Sequence, residues 1–146
     1  FFDIGELQTD DKPKELDKPI GHALLEPHIN YTKHVSSLVN NDINIKGIAH
    51  ITGGGLLENI PRILPNECMA NIESGSWPIL GLFQSLQRIG GIEDSEMFRT
   101  FNMGIGMIFI INQEEVEAAF DILSDLSDVY YIGRISKGQR VVNIDV

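Results

Sequence analysis

Residues 49 to 62 read Ala49-His50-Ile51-Thr52-Gly53-Gly54-Gly55-Leu56-Leu57-Glu58-Asn59-Ile60-Pro61-Arg62. Upstream, Ile45, Gly47, Ala49 and Ile51 alternate on one face, which predicts a strand over 45–52 that stops at the glycines. A short helical turn is expected next. It is either brief or restarted at 59–61, because Pro61 has no amide hydrogen and crowds the carbonyl of Leu57. Consecutive glycines at a strand end let the backbone fold tightly and aim N–H groups at one point, and a helix starting there adds its dipole. With the Thr52 hydroxyl and the Arg62 charge close by, the turn reads as an anion cradle. The plainer alternative is a strand-to-helix turn whose glycines only supply positive φ, and the residues alone leave both open. The segment is neither a P-loop nor a GxGxxG fingerprint.

Outward from this stretch, strands and helices interleave. Tyr31, Val35, Leu38 and Val39 recur at helical spacing before Asn40-Asn41-Asp42 stops them. Cys68, Ala70 and Ile72 alternate as a strand. Ile79, Leu82, Phe83, Leu86 and Ile89 share a helical face that ends at Gly90-Gly91, and 93–98 reads as another short helix. Residues 106–111 form a nearly continuous apolar run, as in a strand covered on both sides. Val116, Ala119, Phe120, Leu123 and Leu126 mark an amphipathic helix. The segments 129–135 and 141–146 read as two strands joined through Lys137-Gly138 as a hairpin. The expected fold is α/β, a layered sandwich in which a mixed sheet packs against helices.

The totals narrow the function. With 146 residues, 42% hydrophobic and 22% charged, the chain is one ordinary globular domain. Residues 1–19, rich in Asp, Glu and Lys, read as an acidic connector, and 20–146 as the domain. No apolar run approaches the roughly 18 residues of a membrane span, and no signal peptide is evident. Net charge −10 argues against nucleic acid or an anionic membrane as partner. The single Cys68 excludes an intrachain disulfide framework and suits a reducing, cytoplasmic setting. The opening Phe1-Phe2-Asp3, without Met, suggests a fragment or a processed product.

A second chemical constellation is Met97-Phe98-Arg99-Thr100-Phe101-Asn102-Met103-Gly104-Ile105-Gly106. Arg99 and Asn102 precede the apolar strand, and the glycines permit close approach to a ligand. The structural alternative pairs Arg99 with Glu93, Asp94 or Glu96 and lets Asn102 cap a turn. His22, His28, His34 and His50 match no metal-ligand spacing, so no metal site is expected. Only His50, beside the glycine turn, is a catalytic candidate, and the plainer alternative for it is a satisfied core or surface histidine. Cys68 reads as a small buried apolar residue, and Trp77, Tyr130 and Tyr131 as core or interface.

The segment His50 to Pro65 resembles the hallmark of the phosphoribosylformylglycinamidine cyclo-ligase (aminoimidazole ribonucleotide synthetase) family. Met97 to Met107 is similar to that family's second signature, and Leu24-Leu25-Glu26-Pro27 and Gln139-Arg140-Val141-Val142 also match. The likeness covers about residues 20 to 146 and marks the C-terminal domain. It implies an enzyme that uses ATP and Mg²⁺ to activate the formyl oxygen of formylglycinamidine ribonucleotide, after which an amidine nitrogen closes the imidazole ring. It further implies a homodimer, an own N-terminal domain that holds most ATP and metal contacts, and inactivity of this part alone. Thr52, Gly53, Gly54 and Gly55 become the phosphate contacts, with Asn59, Arg62, Arg99 and Asn102 as further substrate-binding candidates. Where the family follows Leu-Leu-x-Pro with Thr-Arg-Ile-Tyr-Val-Lys, this chain has His28-Ile29-Asn30-Tyr31-Thr32-Lys33, so any phosphate role of that arginine passes to Lys33. Rival readings are a related ATP-using enzyme of the superfamily, of selenophosphate synthetase or thiamine-monophosphate kinase type, and a non-catalytic binding or dimerisation module.

Overall fold

Alternation of small and branched apolar residues at Ala70 and Ile72 sets the centre of the molecule. In the computed structural model, which describes residues 1–145, the elements run α1 (Ile20–Leu24), α2 (Thr32–Asn40), β1 (Gly47–His50), α3 (Gly55–Asn59), β2 (Cys68–Glu73), α4 (Gly81–Gly90), α5 (Asp94–Thr100), β3 (Met107–Ile110), α6 (Val116–Ser124), β4 (Gly133–Lys137) and β5 (Val142–Asp145). Strands form two groups: β1 pairs with β3, and a mixed sheet has the order β4-β2-β5. The chain is thus α/β with a mixed sheet, β2 running antiparallel to β4 and parallel to β5.

The terminal hairpin expected through Lys137-Gly138 does not form. β4 and β5 lie on opposite sides of β2 and never pair. The chain leaves β4 at Gly138, whose N–H bonds to the Glu67 carbonyl, and crosses at the start of β2 to bring the Val141 carbonyl to the Ala70 N–H at 3.0 Å. Both edges of β2 offer unpaired backbone groups, and filling both satisfies more of them than a hairpin on one edge. The expected strand over 129–135 likewise starts late, at Gly133. Residues 129–131 carry no ladder, the Ile132 carbonyl accepts from the Glu73 N–H at 2.9 Å, and Tyr130 and Ile132 pack against the core.

Two clusters hold the elements together. The larger gathers Ala49 on β1 and Ile51 just after it, Leu56 on α3, Ile60 beyond α3, Ala70 and Ile72 on β2, Trp77 after β2, Met97 and Phe98 on α5, and Met103 and Ile105 before β3. Ile51, Leu56 and Met97 are fully buried, each contributing about 1.5–3 kcal/mol by removal from water. Trp77 is core, and its indole N–H donates to the Met103 carbonyl at 3.0 Å. The smaller cluster packs α2 on α6 through Leu38, Ile43, Ala119 and Leu123. Cys68 is half-buried. Among the described residues, no helix is long and apolar enough to cross a membrane.

The acidic stretch 1–19 is largely exposed but fastened. Glu15, its side chain 11% exposed, receives Arg88 of α4 through Nε at 2.6 Å and the Ser85 hydroxyl at 2.8 Å. Ile20 and Gly21 donate back to the Asp11 and Thr9 carbonyls, both at 2.9 Å. The Arg88 guanidinium, aided by Ser85, lowers the Glu15 carboxyl from 4.5 to about 2. A carboxylate depressed on folding stabilises above its unfolded pKa and loses that contribution as pH falls through the folded one. Thermal melts are therefore expected to weaken from pH 4.5 towards pH 2, and Glu15→Gln is expected to flatten that slope. An unchanged slope in the variant refutes the assignment of this pair.

Candidate functional site

β1 delivers His50 to the domain surface, and the glycines then turn the chain into α3. Gly54 at φ 93° and Gly55 at φ 53° both adopt the left-handed conformation that side chains resist. Asn59, at the end of α3, keeps this turn in shape. Only 4% exposed, its Nδ2 donates to the carbonyls of Gly55 at 2.8 Å, Gly53 at 3.2 Å and Thr52 at 3.3 Å. Its Oδ1 accepts from the Thr52 hydroxyl at 3.5 Å. Expected as a binding residue, Asn59 is instead engaged in holding the loop, because a buried amide satisfies the nearest carbonyls first.

The second signature segment arrives at the same place. A Cβ on Gly55 would stand on the Phe98 carbonyl oxygen and 2.6 Å from that of Phe101, so the turn rests on the C-terminal end of α5. The Ile51 N–H donates to the Gly106 carbonyl at 2.9 Å, and His50 faces Met107 in the β1–β3 register. Tyr31 joins them, its ring only 2.9 Å from where a Cβ on Gly106 would lie. Burial pushes the Tyr31 phenol up.

Around this corner the polar side chains divide into engaged and free. Arg99 clasps Glu96 through Nε at 2.7 Å and Nη2 at 2.6 Å, and this pairing raises the guanidinium and lowers the carboxyl. Asn102 accepts from the Gly104 N–H at 3.0 Å and so caps its own turn. For both residues the pairing weighed from the sequence is the one observed. Thr52 and Gly53 are exposed, with nothing within 4 Å of a Cβ on Gly53. The Arg62 side chain is exposed and, among the described residues, makes no ion pair, while its carbonyl and that of Pro61 receive Arg140 at 3.0 and 2.6 Å. His50 is exposed, with the His28 ring edge-on at 5.5 Å and that of Tyr31 at 6.1 Å.

Sequence reading passed over Glu58 and Tyr31 as site residues. Glu58 lies four residues beyond Gly54, one helical turn on, so its carboxylate folds back over the glycines. That spacing was visible. Tyr31 carried no local signal, since only the tertiary fold sets it over Gly106. Among the described residues, no group of three or more His, Cys, Asp or Glu side chains could hold a metal ion.

An α/β domain in which these two motifs meet over one turn is the C-terminal domain of an AIR synthase related protein. The chain belongs to that family, whose profile, described as AIR synthase related protein, C-terminal domain, matches residues 2–145. The phosphoribosylformylglycinamidine cyclo-ligase of Syntrophotalea carbinolica is 46% identical over 138 residues, covering 94% of this chain and 39% of the relative. That of Caldanaerobacter subterraneus is 44% identical over 140 residues, covering 95% of this chain and 41% of the relative. A third, from Caldicellulosiruptor saccharolyticus, is 47% identical over 127 residues, covering 86% and 37%. The chain thus spans about two fifths of the length of the curated relatives it matches.

Neighbouring glycines should respond in opposite ways to a methyl group. Gly55→Ala combines a left-handed backbone with a clash against fixed carbonyls, and is expected to cost about 2–5 kcal/mol in urea unfolding. Gly53→Ala points into open space and should stay within about 0.5 kcal/mol of the parent. Equal effects at the two positions contradict the contact described.

Proposed function

We propose that this chain is the C-terminal, substrate-side domain of an ATP-dependent cyclo-ligase that converts formylglycinamidine ribonucleotide to aminoimidazole ribonucleotide in purine biosynthesis. The observation that carries the reading is the meeting of His50–Pro65 and Met97–Met107 at one exposed corner, in a chain 46% identical to a cyclo-ligase by name. Residues 1–19 then act as the connector and 20–146 as the domain, whose described residues pack as the layered sandwich of the superfamily. The partners are the protein's own N-terminal domain and a second copy in a homodimer, in the cytoplasm.

Within this reading, a phosphate, either of the ribose or the one transferred, lies at the exposed Thr52 hydroxyl and Gly53, on a turn that Gly54 and Gly55 shape, the Gly55 N–H being bonded to the Thr52 carbonyl at 3.1 Å. Arg62, exposed and without an ion pair among the described residues, supplies the countercharge. Arg99 and Asn102 reach the substrate only by leaving Glu96 and the Gly104 turn. Asn59 supports the loop from beneath. His50 has the exposure a proton-transfer group needs, with His28 and Tyr31 beside it. The family resemblance places ATP and Mg²⁺ mainly on the N-terminal domain, which would supply the activation of the formyl oxygen. The chain's own part is to hold both ends of the substrate in reacting distance, an effect worth orders of magnitude in rate.

The test is a chimera in which this chain replaces the matching 138 residues of the Syntrophotalea relative. Aminoimidazole ribonucleotide is expected to form with ATP, and purine-requiring cells that lack the enzyme should grow. A chimera that melts in one cooperative transition yet forms no product overturns the proposal.

A further inference from the structure

The structure assigns a role to a carboxylate that neither motif reading used: we propose that Glu58 seats a planar amidinium group, the cationic end of the ligand bound at the glycine turn. The inference rests on the cyclo-ligase reading for the identity of that ligand, but its geometry stands separately.

Glu58 does not project away from α3. A Cβ on Gly54 would lie 2.5 Å from its Oε2 and 3.0 Å from its Cδ, so the carboxylate occupies the space that the missing side chain leaves. The helical bond from the Glu58 N–H to the Gly54 carbonyl, at 3.0 Å, fixes this return. Among the described residues the carboxylate has no hydrogen bond and no ion pair, and it is exposed. Arg99 feels its charge but is clasped by Glu96 at 2.6 and 2.7 Å. The adjacent Asn59 amide is engaged with loop carbonyls. Glu58 therefore presents an unneutralised charge with both oxygens available.

That charge changes what the turn can hold. A lone phosphate on Gly54 would meet a carboxylate at contact distance, and like charges there oppose binding. A ligand with an anionic and a cationic end resolves the conflict. Its phosphate lies towards Gly53, which is open to solvent, and towards exposed Arg62. Its cation lies on Glu58. An amidinium is flat and carries paired N–H donors in a fork, the partner that a carboxylate binds through both oxygens. Formylglycinamidine ribonucleotide has one phosphate and one amidine, so the same corner would read both ends and set the amidine's orientation. Glu58 is then a substrate-contacting, specificity-determining residue.

The experiment titrates this chain with acetamidinium, neutral acetamide of the same shape, and inorganic phosphate, following backbone amide signals by NMR. Acetamidinium is expected to shift Gly53, Gly54, Gly55 and Glu58, while acetamide leaves them in place. Glu58→Gln, isosteric but neutral, should weaken the acetamidinium response about tenfold or more, with an unchanged urea midpoint. Should Glu58→Gln fail to fold, Glu58→Asp keeps the charge and shortens the reach, and is expected to bind acetamidinium more weakly than the parent. Equal shifts with acetamide, an unaltered response in both variants, or a response to phosphate alone would overturn the assignment. Product formation by the chimera without acetamidinium binding removes this inference and leaves the cyclo-ligase reading intact. Binding without product does the reverse.

Discussion

The backbone of Gly55 lies against the carbonyl oxygens of Phe98 and Phe101, and most of what distinguishes this domain follows from that contact. Only a residue without a side chain can pass there, and only a left-handed backbone can turn the chain from β1 into α3 at the same point. The contact brings together segments distant in sequence, and the apolar side chains beneath it complete the joint. Leu56 and Ile60 from one segment and Met97 and Phe98 from the other belong to the same buried cluster. Packing at interior density makes such a joint intolerant of added volume. The polar corner above it is thus set on a rigid base, which binding in a defined orientation requires.

On that base, engaged and free groups have different roles. Asn59 and Asn102 satisfy turn carbonyls and turn amides, and the Arg140 guanidinium donates to the carbonyls of Pro61 and Arg62. These bonds shape the loops. Glu58, Arg62 and His50 face solvent with no hydrogen bond or ion pair of their side chains among the described residues, so their charge and hydrogen-bonding capacity are open to a ligand. The His28 ring lies edge-on to that of His50 at 5.5 Å, so the imidazole at this corner has a second imidazole beside it.

Much of the fold was legible because it is written in local periodicity. Spacing located the helices around Leu38, Phe83 and Leu123 and the strands around Ala49, Ala70 and Phe109 to within a few residues. Strand pairing was not legible. Val141 to Asp145 reads as the return arm of a hairpin, yet β2, far earlier in the chain, lies between it and β4. The acidic stretch reads as solvated, but one carboxylate in it, Glu15, finds Arg88 and Ser85 across the fold. Composition describes a segment's average and is blind to a single well-placed ion pair.

By itself the sequence determined the α/β class, the glycine turn after a strand and the two motifs that mark the family, since each depends on neighbours along the chain. Only the tertiary structure decided what those residues do. It set Asn59 to hold the loop, bound Arg99 to Glu96, placed Tyr31 over Gly106 and left the Glu58 carboxylate without a hydrogen bond or ion pair among the described residues. A side chain's role depends on which donors and acceptors reach it first, and most of those come from elsewhere in the chain.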